Sequence, residues 1–188
     1  ITGGFGFVGG RLGKYLQQSG HDVVLGSRKK QKVPEWLSSG QVACINLDNK
    51  IDLKLICSQV DVIVHAAGMN AQDCASDPVA ALKCNAVGTA QLLEVAINQG
   101  IKRFIYLSTA HVYSSPLTGV ITENTCPTNL QSYAVSHCTG ENVVRLAHQN
   151  EDIEGCVIRL SNAYGAPVHK DVNCWMLLVN DLCRQVVS

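Results

Sequence analysis

Glycines at positions 3, 6 and 9 in the opening run ITGGFGFVGG constrain this chain more than any other feature. The spacing GxxGxxG follows Ile1, which reads as the last residue of a strand. It precedes a helix predicted over residues 9–19, where Leu12 and Leu16 stand four apart as one buried stripe requires. Residues 21–25 (HDVVL) then read as a short, β-branched return strand. Glycine allows the sharp turn, lets a diphosphate approach without a Cβ in the way, and lets the helix pack closely on the strand. The free N–H groups of the helix start can then face phosphate oxygens. Gly3, Gly6, Phe7 and Gly9 are therefore the candidate diphosphate cradle of a dinucleotide site.

The rest of the chain repeats the alternation. Strands are predicted over 42–47, 61–67, 103–107 and 156–160, and helices over 78–99 and 133–149. Pro78 suits a first helical turn and Gly100 a helix end. Near-continuous apolar strands alternating with helices specify an α/β fold, a Rossmann-like doubly wound parallel sheet with helices on both faces. The predicted boundaries are a dinucleotide-binding domain over residues 1–165 and, after Gly165, the start at 166–188 of a C-terminal substrate-binding region, most of it outside this chain. The abrupt start at Ile1 and the uncapped apolar run at 175–183 carry the same expectation of a longer natural protein.

Composition removes several function classes. Fifteen Lys+Arg balance fifteen Asp+Glu among 188 residues, and only 16% of residues are charged. That is too little charge for a disordered tail or a polybasic nucleic-acid binder, so no nucleic-acid partner is expected. No apolar run reaches the length of a membrane span, so no membrane partner is expected either. The nine cysteines are odd in number and none forms a CxxC pair. They read as small buried hydrophobes in a reducing, cytoplasmic setting, with no bound metal.

The end of the 21–25 strand bears on cofactor choice. An NAD site usually carries Asp or Glu there for the ribose hydroxyls, whereas a 2′-phosphate needs a cation. This chain reads Gly26-Ser27-Arg28-Lys29-Lys30, with no carboxylate. The expected cofactor is NADP(H), held by Ser27 and Arg28, with NAD as the alternative; a plain solvated basic turn is the competing reading.

Six stretches, in order, resemble the extended short-chain dehydrogenase/reductase family, which includes sugar-nucleotide epimerases, dehydratases and reductases. They are TGGFGFVG at 2–9, DVIVHAAG at 61–68, NAVGT at 85–89, LSTAHVY at 107–113, YAVSH at 133–137 and RLSNAYG at 159–165. The resemblance implies that Asp48 lies near the adenine and that Ala66, Ala67 and Gly68 line the cofactor trough. It implies that Asn85 supports the central helix or the neighbouring strand region on the cofactor side. It makes Thr109 the holder of a substrate oxygen, Tyr133 the proton-transferring group and Asn162 a substrate-recognition residue; His111, two residues after Thr109, is a further substrate candidate. A homodimer through the two long helices is the family habit.

The chain departs from the family at one catalytic position. Where YxxxK has lysine, residue 137 is histidine. A tyrosine with a pKa of about 10 needs a neighbouring cation to be a useful base at neutral pH. His137 lies four residues after Tyr133, on the same helix face, and Glu141 four further on. The expectation is that Glu141 favours an imidazolium, so that His137 substitutes for lysine in catalysis and in cofactor binding. The competing reading is a catalytically impaired dinucleotide-binding regulatory or interaction subunit. His65 reads as a core histidine, and His21 and His148 as surface residues. No HExxH supports metal chemistry, and Ser108 lacks the GxSxG elbow of a hydrolase nucleophile.

Dehydratases of this family carry an Asp-Glu pair where this chain has Ala110-His111, which disfavours elimination. Epimerisation and reduction need only the Tyr–Thr pair and the cofactor. The implied function is an NAD(P)-dependent epimerase or reductase acting on a carbinol or carbonyl of a nucleotide-linked sugar, a small-molecule partner.

Overall fold

The computed structural model describes residues 1–114 and 116–187, which form two compact units, Leu47–Ser161 and the two flanking segments together. In the flanking unit, helix α1 (Phe7–Gln18) follows the glycine loop and leads to strand β1 (Val24–Ser27), paired in parallel with β2 (Gln41–Cys44). The backbone at Ile1 lies beside β1, with Gly26 N–H donating to the Ile1 carbonyl at 2.8 Å. Val23, Leu25 and Leu37 form the core, with Ile1, Phe5, Leu16, Trp36 and Val42 packed against them. The segment after Gly165 folds back on α1. Arg11 Nη1 donates to the Ala166 carbonyl at 3.0 Å, and Asn180 Oδ1, in α7 (Leu178–Val187), accepts from Gly165 N–H at 2.9 Å.

The second unit contains α2 (Lys50–Cys57), β3 (Val62–His65), α3 (Ala71–Ser76), α4 (Pro78–Ala81), α5 (Gly88–Asn98), β4 (Arg103–Thr109), α6 (Ser132–Gln149) and β5 (Glu154–Leu160). Its sheet is parallel in the order β3-β4-β5. Parallel neighbours require crossovers, and the helices supply them. The parallel α/β class follows the sequence pattern, while the boundaries differ. The 21–25 strand begins later and runs to Ser27, because the ladder pairs Val24 with Gln41 and Ser27 with Cys44. Strand β4 extends past residue 107 to Thr109, which pairs with Leu160.

The helix expected over 78–99 is not continuous. Between α4 and α5, Leu82–Val87 forms a π-helical turn with its hydrogen bonds widened to i→i−5, as in Gly88 N–H to the Lys83 carbonyl. Such turns insert a residue and swing side chains out of helical register. Here the turn buries Asn85 and leaves Leu82 42% exposed.

The cysteines also depart from expectation. Cys57, Cys74 and Cys174 are buried, but Cys44, Cys126, Cys156 and Cys183 are exposed, and no disulfide forms among the described residues. Cys44 and Cys156 lie in apolar runs whose strands nonetheless leave them facing outward.

Candidate active site

The glycine loop has the shape its spacing required. Gly3 takes a positive φ of 62°, a conformation costly for side-chain-bearing residues. A Cβ on Gly9 would lie 2.3 Å from the Gly3 carbonyl oxygen, so the start of α1 fits only because that Cβ is absent. Gly6 differs. A Cβ there would meet the Gly3 carbonyl oxygen at 3.2 Å and no other neighbour within 4 Å. Gly6 is the N-cap of α1, no side chain caps it among the described residues, and the first turn carries no acidic residue. The opening N–H groups of a helix lack intrahelical acceptors. An open glycine face beside uncapped N–H groups fits a diphosphate, and Phe7 stands at the first helical position.

At the end of β1, Ser27 Oγ accepts from Lys29 N–H at 3.2 Å, and Arg28 is exposed. Asp48 is exposed four residues beyond β2. Asn162 is exposed just after β5.

In the second unit, Thr109 ends β4 and Tyr133 lies in the first turn of α6. The Thr109 hydroxyl acts on the Tyr133 phenol. Thr109 is 4% exposed, and its Oγ1 also accepts from His111 N–H at 3.2 Å. Burial raises the Tyr133 pKa above the ordinary phenol value, and the Thr109 hydrogen bond opposes that shift. His111 is exposed, with its ring 6.3 Å from that of Tyr133 in an edge-on arrangement.

His137 shares the helix face of Tyr133, and the two rings meet edge-on with centroids 4.6 Å apart. The expected imidazolium is not supported. Burial pushes the His137 pKa down to about 4, and the upward pull of Glu141 is too weak to reverse it. Glu141 is fully buried and already partnered. Arg159 grips it through Nε at 3.0 Å and Nη2 at 2.6 Å, and Ser108 Oγ donates to Oε1 at 2.5 Å. Its charge is matched by a guanidinium, not by the imidazole.

Ala66, Ala67 and Gly68 follow β3. A Cβ on Gly68 would come within 3.5 Å of His137 Cε1 and 3.2 Å of Asn85 Oδ1. Asn85 uses its amide within the protein: Oδ1 accepts from Met69 N–H at 2.8 Å and Nδ2 donates to Ser136 Oγ at 3.0 Å. It thereby ties the turn after β3 to α6.

Sequence reasoning missed the buried polar layer beneath these residues. Tyr106 OH lies 3.0 Å from His137 Nδ1, and Thr89 Oγ1 donates to the Asn85 carbonyl at 2.7 Å and lies 3.1 Å from His65 Nε2. His65 is fully buried with its pKa pushed down to about 3, mainly by burial. The available signal was the strand period: Phe104, Tyr106 and Ser108 alternate along β4 and are all buried. Arg159, in the RLSNAYG stretch, is the partner of Glu141 that residue spacing does not disclose.

A family model for the NAD dependent epimerase/dehydratase family matches residues 1–179, and the chain belongs to this family. UDP-glucuronic acid decarboxylase 2 of Arabidopsis thaliana is 30% identical over 175 residues, covering 88% of this chain and 38% of the relative. The UDP-glucose 4-epimerase of Thermotoga maritima, solved with UDP-glucose, superposes with a TM-score of 0.80 at 23% identity, covering 89% of this chain and 56% of that one. The dTDP-glucose 4,6-dehydratase of Streptomyces venezuelae, solved with NAD, gives a TM-score of 0.82 at 23% identity, covering 97% and 61%. The chain spans about half the length of several curated relatives it matches.

Proposed function

We propose that this chain is the cofactor-binding and catalytic part of an NAD(P)-dependent enzyme that reduces or epimerises a nucleotide-linked sugar. The observation that carries the reading is the pairing of buried Thr109 with half-buried Tyr133, whose phenol the Thr109 hydroxyl acts on against the effect of burial. Gly3, Gly6, Phe7 and Gly9 would hold the diphosphate, Asp48 the adenine side, and Ala66, Ala67, Gly68 and His137 the remainder of the dinucleotide. Asn85 acts through the turn it holds after β3. When bound, the dinucleotide supplies or accepts a hydride. Thr109 would hold the substrate oxygen, and Tyr133 would exchange the proton on it. His111 and Asn162 would contact the sugar, and residues 166–188 would begin the region that completes its pocket, residues 1–165 being the dinucleotide-binding domain.

Between the two reactions, the state of Tyr133 favours reduction. Epimerisation begins by removing a carbinol proton, which needs the phenolate. Reduction of a carbonyl begins from the phenol, the form that burial favours at neutral pH. Arg28 beside Ser27, with no carboxylate at the end of β1, favours NADP(H) over NAD. Nine cysteines with no disulfide among the described residues suit a reducing, cytoplasmic setting. Among the described residues no helix is long and apolar enough to cross a membrane. Exposed Val135 and Leu146 on α6 favour a homodimer through the long helices, which sedimentation would test. The functional test is incubation with a panel of nucleotide sugars and their keto forms plus NADPH or NADH, read by mass spectrometry. A gain of two mass units supports reduction, and an unchanged mass with a new diastereomer supports epimerisation. Dinucleotide binding without turnover on any member would refute the catalytic reading.

A further inference from the structure

The geometry points to Tyr106 as a positioning residue that fixes the tautomer of His137, placing the imidazole proton on Nε2 at the edge facing Gly68. Four buried hydroxyl and imidazole groups, Thr89, Tyr106, His65 and His137, compete for few protons, and the distances decide how they are shared. Thr89 donates its single proton to the Asn85 carbonyl at 2.7 Å. Its oxygen must then accept from His65 Nε2, 3.1 Å away. Tyr106 also has one proton and three groups around it: the Thr89 hydroxyl, whose oxygen is already taken by His65, the Asn85 carbonyl at 3.3 Å and His137 Nδ1 at 3.0 Å. The carbonyl already receives the shorter Thr89 bond, and 3.3 Å is long for an O–H donor. The Tyr106 proton therefore goes to Nδ1.

A neutral imidazole has one N–H, and the hydrogen bond made by one nitrogen determines which carries it. With Nδ1 accepting, Nε2 is the donor. Nε2 makes no hydrogen bond among the described residues, and a Cβ on Gly68 would lie 3.6 Å from it. The ring thus offers a bound molecule a hydrogen-bond donor and no basic lone pair. It cannot serve as a base relay for Tyr133, and this consequence for catalysis rests on the reductive reading above.

Nitrogen-resolved NMR of the ligand-free protein near pH 7.5 tests the assignment without any turnover. The His137 Nε2 resonance is expected to be protonated and Nδ1 to show an acceptor shift. Tyr106→Phe removes the donor, and the ratio of the two tautomers should fall by about fivefold. Should that variant misfold, Thr89→Val frees the Asn85 carbonyl to take the Tyr106 proton, and the Nδ1–H share should rise in the same direction. A native protein with the proton on Nδ1, or a folded Tyr106→Phe protein with an unchanged tautomer ratio, would overturn the inference. Failure of the reading as a dinucleotide enzyme would leave these spectra unaffected, so the two failures are distinguishable.

Discussion

The glycine loop and the hydroxyl layer solve opposite problems. In the proposed function the backbone around Gly3, Gly6 and Gly9 is itself the functional group, and what matters is the absence of side chains and of a side-chain cap on α1. Around Tyr133 and His137 side chains are the functional groups, and nearly every polar atom is buried and partnered within the unit. The first region is built to leave hydrogen-bonding capacity open, the second to set protonation states by burial. The open backbone of a loop can therefore be read from residue spacing, whereas the state of a proton depends on neighbours distant in sequence.

The comparison breaks first at Tyr133. Tyr133→Phe should lower turnover about a thousandfold, within the range for a lost acid–base group, while dinucleotide affinity stays within about twofold. Steady-state kinetics and a binding titration check both halves. Arg159→Met is the next largest effect. It strands Glu141, whose side chain is fully buried, and should cost about 3–5 kcal/mol in urea unfolding.

Acid should separate the two regions again. The folded pKa of His137, about 4, lies below its value of 6.5 in the unfolded chain, so the unfolded state binds more protons between those values. Stability is thus fully present above pH 6.5 and is lost as the pH falls toward 4. The His137 share is about 3 kcal/mol, and His65 adds to it in the same direction. Urea midpoints from pH 8 to 4 measure the slope, and His137→Gln should flatten it.

Two glycine substitutions sharpen the contrast within the loop. Gly9→Ala should destabilise by about 1–3 kcal/mol through its clash with the Gly3 carbonyl, as overpacking does. Gly6→Ala should change stability far less yet weaken dinucleotide binding, because its Cβ meets only the Gly3 carbonyl oxygen, at 3.2 Å, and otherwise fills the face the loop leaves open. The smallest expected effect is at Arg28, where Arg28→Ala should reduce NADPH affinity about tenfold and leave NADH unchanged. Equal affinities of the native protein for both cofactors would contradict the 2′-phosphate assignment.

Much of the fold was legible because its signals are local. The glycine spacing, the β-branched runs and the helix over 133–149 each lie in a short window, and the structure has α6 beginning one residue earlier, at Ser132. The π-turn at Leu82–Val87 was not legible, since the run from Pro78 has ordinary helical composition; within it Asn85 turns inward to bond Met69 and Ser136, both distant in sequence. At the site, the sequence nominated Tyr133, Thr109 and His137 but misjudged the charge on His137. Glu141 at i+4 suggested an imidazolium, and only the three-dimensional arrangement reveals Arg159, eighteen residues further on, binding that carboxylate. Burial then decides the imidazole's state, and burial is a property of the assembled layer.

The central claim is that the Tyr133 phenol remains protonated at neutral pH because no cation offsets its burial. Ultraviolet difference titration of the native protein against Tyr133→Phe measures this directly through the phenolate absorbance. The account expects the Tyr133 phenolate to appear only above the ordinary phenol range. A phenolate midpoint near pH 7 would contradict it.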